Sequence, residues 1–469
     1  MKFNHLILLV ISLLFSYQTK SQSELPKYTV TGKITNLKNQ KLYLAYYFGS
    51  NQQVITDSTN SNDKGEFKFS GNSILPEGLY MLNYAPSKYI DLLMVDQNFE
   101  VNFDSSRILE TIEFKNSNLN QDFYDYQRKM KDFSTEFRNL QIKNDKNEMM
   151  MVRSKVLGFQ ESFLERNKNN FLGKIISASI DPIIPEYTGN LISSADSLAK
   201  RNFEYQYFKS HFFDKIDLND ARLMRTPIIE PKIDFYFNRL VPQVPDSIIT
   251  HADRILKDLK NTELKRFIVY KITNTAENSN ILGMDKVFVH MGEDYYLKNP
   301  QDYDSTLIAN FKSRIKTMKP LLNGSPMPTL YLTDTLGKEF IPETINSKYL
   351  LVFFYDPDCS HCKSAAPELI KLIPFFKEHD IKLLAVSIER NKTKWLNFIH
   401  EQNFNQFYNG IDIHINPQTK NEEYFVDFYS VFDVVSTPTI YILDAEKKIL
   451  IKKMGVEEIK TFINYHERN

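Results

Sequence analysis

The chain has 469 residues, enough for two or three domains, and its 58 basic residues are matched by 58 acidic ones. That balance, with no long run of one sign, excludes the electrostatic footprint of a nucleic-acid binder or of a protein held on an anionic membrane by charge alone. Phe 35 and Tyr 26 against a single Trp suit packed sheets and helices but specify no ligand.

At the N-terminus, Lys2 precedes an apolar run over residues 6–15, followed by polar residues to about 23. The run is too short to span a bilayer and reads as a cleaved export signal over residues 1–22. No cysteine follows the run, which argues against a lipid anchor, and no later segment approaches transmembrane length. The mature protein is expected to be soluble and exported, in the periplasm or cell envelope, where a disulfide can persist.

Residues 27–106 predict a small β-sandwich-like domain. Alternation over 28–34, aromatic and apolar residues over 42–48, and turn signals at Gly65 and Gly78 mark short strands, read as an antiparallel sandwich or barrel. From residue 118 the period changes. Phe123, Tyr126, Met130, Phe133, Phe137 and Leu140 step by three and four, and Met149, Val152, Val156, Phe159 and Phe163 repeat the stripe, so two helices are expected to pack as a hairpin. The methionines at 149–151 are read as packing residues. Further helices are expected over 248–272, with Asp246 as cap, and over 308–318. His290 and Glu293 share a helical face without a third ligand, so they are read as a solvated or packed pair. Residues 118–318 are thus a helical connector or partner-binding region.

Beyond Pro320, Gly324, Pro326 and Pro328 the pattern alternates between strand and helix. Strands are expected over 350–355, 382–388, 439–443 and 449–454, with helices running from the cysteines to about 379, over 394–402 with Trp395, and over 456–466. The fold class is therefore multidomain: an N-terminal all-β sandwich-like domain, a helical middle, and an α/β domain over 322–469.

The only two cysteines sit as Cys359-Ser360-His361-Cys362. A disulfide closing so small a loop restrains the unfolded chain by roughly 2 kcal/mol, a small gain for a chain with a large core. Zinc needs four ligands, and only His361 lies beside the sulfurs, so no metal is assigned. The pair therefore reads as redox-active. A strand feeding a Cys-x-x-Cys at the start of a helix puts Cys359 where the helix dipole favours a thiolate. Cys362, one turn on, is placed to resolve a mixed disulfide. His361 is expected to tune the pair toward a more oxidising disulfide, whereas Asp356 and Asp358 push the other way.

The segments Asp356-Pro357-Asp358-Cys359-Ser360-His361-Cys362-Lys363 and Ser436-Thr437-Pro438-Thr439-Ile440-Tyr441 resemble the thioredoxin fold, and more narrowly the TlpA/ResA-like exported thiol:disulfide oxidoreductases. The resemblance covers about residues 320–469. Residues 324–328 and 334–337 resemble that family's N-terminal hairpin, and Pro367 its helix-kinking proline. The resemblance implies that Thr437 and Pro438 form a cis-proline loop that binds substrate backbone. The upstream part resembles the sandwich domain of unknown function that precedes such domains in Bacteroidetes proteins. Asp358 replaces the usual tryptophan, and Phe353 and Ala365 stand where a buried acid is found beneath the second cysteine in many relatives. A peroxiredoxin chemistry is disfavoured, because Asp356 stands where its threonine is required.

The function expected is thiol:disulfide exchange with exported proteins, as a reductant restored by a membrane electron donor. No cofactor is needed beyond the Cys359–Cys362 disulfide itself. The alternatives are a disulfide oxidant or isomerase and, from another class, a partner- or ligand-binding protein with a non-catalytic thioredoxin-like domain.

Overall fold

The computed structural model describes residues 26–50 and 52–468; the export signal expected over residues 1–22 lies outside the described residues. These divide into two compact units. One reaches to Pro182 and includes Phe213–Asp217 and Ala221–Pro231; the other comprises Ile183–Phe212, Leu218–Asp220 and the chain from Lys232 onward. The helices of residues 118–318 are thus shared between the two units.

In the first unit, β1 (Tyr28–Thr35), β2 (Lys41–Phe48), β3 (Gln52–Asn60), β4 (Glu66–Gly71), β5 (Gly78–Ala85), β6 (Lys88–Met94), β7 (Asn98–Asp104) and β8 (Glu113–Lys115) build two four-stranded sheets. Their orders are β4-β1-β7-β8 and β3-β2-β5-β6. Alternate residues of each sheet, among them Val30, Leu44, Leu82, Leu92 and Val101, meet in one core. The expectation of a purely antiparallel domain needs correction, because β1 and β7 pair in parallel. A parallel neighbour needs a long connection, and the segment between them supplies it, carrying β4 of the same sheet and all four strands of the other.

Asp91, on β6, accepts a hydrogen bond from the Tyr47 hydroxyl at 3.1 Å. Burial pushes its carboxyl up to about 6, against the opposing pull of that hydrogen bond. Native Asp91 therefore holds its proton more tightly than the unfolded chain does, and stability is lost as pH rises from about 4 to about 6. Asp91→Asn is expected to stabilise this unit at neutral pH by about 2 kcal/mol. The gain should vanish below about pH 4, and denaturant titrations across pH check it.

The expected hairpin is present as helices Asn118–Ile142 and Lys146–Asn167. Tyr126 packs against Phe159 and Phe163 with ring centroids 5.6 and 4.9 Å apart, and the Asp145 carboxylate caps the second helix from the Glu148 N–H at 3.1 Å.

In the second unit, the single helix expected over 248–272 is two, Pro245–Lys257 and Thr262–Glu277. Asp246 lies inside the first turn rather than at the cap, while Asn261 caps the new start by accepting the Leu264 N–H at 2.9 Å. His290 pairs with Asp253 at 2.8 Å, and Glu293 with Lys319 at 2.7 Å. The helix Ser305–Met318 precedes the α/β domain.

That domain holds β9 (Leu332–Thr333), β10 (Glu339–Phe340), β11 (Tyr349–Tyr355), β12 (Ile381–Ser387), β13 (Tyr408–Ile411), β14 (His414–Ile415), β15 (Glu422–Glu423), β16 (Thr439–Leu443) and β17 (Ile449–Lys452). Seven of these form the sheet β10-β9-β13-β12-β11-β16-β17, with β14 and β15 as a separate hairpin. The central strand β11 pairs in parallel with β12 and antiparallel with β16. All seven of its residues are buried, because the sheet is covered on both faces: Phe353 points into one core with Trp395 and Ile440, and Phe354 into another with Phe428 and Phe432. This is the thioredoxin-like α/β arrangement, and it makes the chain multidomain. The helix after the cysteines breaks at Leu372 into Ser360–Lys371 and Ile373–Glu378. Pro367 lies within the first segment, and the break falls instead just before Pro374, which opens the second.

Candidate active site

Strand β11 ends at Tyr355, and a tight turn closed by the Cys359 N–H on the Asp356 carbonyl at 3.1 Å delivers Cys359 as the cap of the helix Ser360–Lys371. The two cysteines are free thiols. Cys359 is partly exposed, whereas Cys362, one turn later, is fully buried. The Thr437–Pro438 bond is cis, and its loop faces the pair: the Cys359 thiol lies 3.3 Å from the Thr437 carbonyl oxygen, to which it donates. Cys359, Cys362 and Thr437 are thus brought together across 78 residues of chain.

The environments of the two thiols differ in kind. Burial pushes the Cys359 thiol up, but the Thr437 side chain, Cys362 and the backbone N–H of His361 outweigh it, and the thiol is held below its ordinary value. Cys362 is pushed up to about 12, burial being the main cause, with opposing hydrogen bonds from the Asp356 backbone and Thr437 and a further rise from Cys359. One thiol is poised to ionise and its neighbour to stay protonated.

His361 is exposed, and what it supplies to Cys359 is its backbone N–H. That group persists whatever side chain stands at 361. The expected repulsion from Asp358 is also reduced, since Lys394 pairs with its carboxylate at 2.7 Å; the Asp356 carboxylate accepts the Asp358 N–H at 2.8 Å.

Phe353 and Ala365 bring no carboxylate beneath Cys362: the first is fully buried and stacked on Tyr355, with centroids 5.5 Å apart, and the second packs against the same core. Three neighbours of the site escape a reading of the sequence alone. Tyr355 and Trp395 lie buried under the pair, and the singular tryptophan is the only signal for either. Asp433, five residues before Pro438, is buried and receives the Arg314 guanidinium and the Lys453 ammonium; Arg314 Nη2 lies 3.3 Å from its second oxygen. Among the described residues no cluster of three or more His, Cys, Asp or Glu could hold a metal, and no helix is long and apolar enough to cross a membrane.

Three parts of the chain match known families. Residues 323–451 match the AhpC/TSA family, and residues 28–123 and 193–318 match two domains of unknown function, DUF4369 and DUF5106. The thiol-disulfide oxidoreductase ResA of Bacillus cereus is 21% identical over 145 residues, covering 31% of this chain and 77% of that protein. ResA of Bacillus subtilis is 24% identical over 127 residues, covering 27% of this chain and 64% of that protein. Among solved structures, a domain of a possible thiol-disulfide isomerase from Cytophaga hutchinsonii is 33% identical, covering 32% of this chain and 95% of that one, with a TM-score of 0.29.

Proposed function

We propose, on the premise that the C-terminal domain is a ResA-like thiol:disulfide oxidoreductase of thioredoxin fold, that the chain is an exported reductant of disulfides in periplasmic or cell-envelope proteins. The observation that carries this reading is the asymmetry of the two thiols. Cys359, ionised first and partly exposed, attacks a substrate disulfide; one substrate sulfur leaves and the other is bound to Cys359. Cys362 then attacks the Cys359 sulfur, the second substrate sulfur leaves, and the Cys359–Cys362 disulfide remains. The pair is its own redox centre, and a membrane electron donor restores the dithiol.

A protein substrate suits the surface beside the loop of Thr437 and Pro438, where the loop's backbone would align the substrate chain. An open groove of about 540 Å³ is lined by Ile388, Arg390, Val434 and the run from Tyr424 to Tyr429, and Phe425, Tyr429 and Val435 leave apolar surface exposed. Export is supported by the apolar run of residues 6–15 after Lys2.

A second reading, as an oxidant, draws on the same N–H groups, because stabilising the Cys359 thiolate stabilises the reduced form and makes the disulfide more oxidising. Equilibration of the pair with a thiol buffer separates the two. A reduction potential near about −270 mV is expected for the reductant, and a value near about −120 mV would overturn that direction in favour of the oxidant.

A further inference from the structure

Beneath the cysteines two polar atoms have no hydrogen-bond partner: the hydroxyl of Tyr355 and the indole N–H of Trp395. Both residues are fully buried and share one apolar core with Cys362. The Tyr355 ring is clamped by Phe353 and Phe398, with centroids 5.5 and 4.3 Å away, so its hydroxyl stays in that core. Donors left unsatisfied in an interior are costly, and each one calls for a physical reason. Cys362 is the group whose charge reaches the phenol, and the Trp395 N–H acts on the phenol oxygen without closing a hydrogen bond of ordinary geometry.

We propose that the Tyr355 hydroxyl, with the Trp395 N–H behind it, is the donor held in reserve for the Cys362 thiolate, at a site where Phe353 and Ala365 bring no carboxylate. The inference rests on the exchange reading above. During resolution the Cys362 sulfur forms its bond to Cys359 while the bond from Cys359 to the substrate sulfur breaks. The substrate sulfur leaves with the electron pair and takes up, through solvent, the proton that Cys362 gives up. One disulfide replaces another, and no outside oxidant or reductant is consumed. As charge forms on Cys362, the phenol O–H turns to it and the indole N–H donates to the phenol oxygen. Both orphaned donors are then satisfied, and only while that charge is present, so the stabilisation is specific to the reacting state. Burial holds the phenol protonated, which makes it a donor and not a base. The other groups acting on Cys362 are the Cys359 sulfur, the Thr437 side chain and the Asp356 backbone N–H.

The test converts Cys359 of the full chain to a mixed disulfide with a chromophoric aromatic thiol and follows release of that thiol across pH. Tyr355→Phe, which keeps the ring and its packing, is expected to slow release about tenfold or more and to move its pH profile upward. The rate at which iodoacetamide alkylates Cys359 should be unchanged, and Trp395→Phe should shift release in the same direction by less. Release and pH profile equal to those of the unaltered protein would overturn the assignment. So would a parallel loss of Cys359 reactivity, which marks a distorted site. No release from the unaltered protein would instead overturn the exchange reading itself, so the two failures are distinguishable.

Discussion

Cys359→Ser is expected to abolish disulfide exchange, with a loss of roughly a thousandfold or more, while Cys362→Ser keeps the first step and accumulates a covalent adduct with substrate. The difference follows from position. Cys359 caps the helix, is partly exposed, and has its sulfur 3.3 Å from the Thr437 carbonyl; Cys362 is fully buried one turn inside, out of reach of a substrate disulfide. Serine at 359 leaves no thiolate for attack. At 362 it leaves a mixed disulfide that nothing nearby can resolve, recoverable on a non-reducing gel and released by added thiol. A binding module with idle thiols would keep its partner in both variants without any covalent species, and that outcome would remove the oxidoreductase reading.

Asp433→Ala is expected to destabilise the Cys-bearing unit by about 2–3 kcal/mol, measured as a shift of its denaturant midpoint. Asp433 sits in the left-handed conformation, φ 49°, at the end of the helix Phe428–Phe432. Its buried carboxylate holds Arg314, from the helix Ser305–Met318, and Lys453, just beyond β17. Removing it takes the carboxylate from Lys453 and leaves the half-buried Arg314 only the longer contact to Glu277 at 4.0 Å. The loss stays below the full cost of breaking a buried pair, because both partners keep some access to water. Burial raises the Asp433 carboxyl, but hydrogen bonds and charge from Arg314 and Lys453 lower it further. A depressed carboxyl adds stability above its unfolded value and loses it as pH falls through the folded one. The gap between Asp433→Asn and the unaltered protein should therefore close below about pH 4. Since Asp433 anchors the start of the loop ending at Pro438, exchange should also weaken through KM, without loss of Cys359 reactivity.

The chemistry is legible in the sequence where it depends on short spacing. Cys359 and Cys362 are three residues apart, and the apolar run of β11 feeding them needs no tertiary knowledge. Strand β3 is not legible because it has no fully buried residue, so no alternation is written into it. Strand β13 is hidden because Asn409 and Gly410 interrupt it; a Cβ on the glycine would lie 2.6 Å from a methyl of Leu332. The helix break after Lys257 is masked by the buried residues Leu256, Leu259 and Leu264, which carry an apolar pattern straight across it. Asp433 and Arg314 meet from 119 residues apart, a distance over which no pattern of residue types announces a partner. Tyr355 reads as one more apolar residue of a buried strand until its hydroxyl is seen to lack a partner. The pair of thiols is thus readable, and the groups that set their protonation are not.

The most direct test of the thiol asymmetry is the pH dependence of alkylation of each cysteine in the reduced full chain, resolved by peptide mass. Cys359 is expected to react first, with a midpoint below the ordinary thiol range of about 8.5. Cys362 should stay unmodified until far more alkaline pH, in line with a thiol pushed up to about 12. Equal midpoints, or Cys362 reacting first, would contradict the asymmetry on which the exchange mechanism stands.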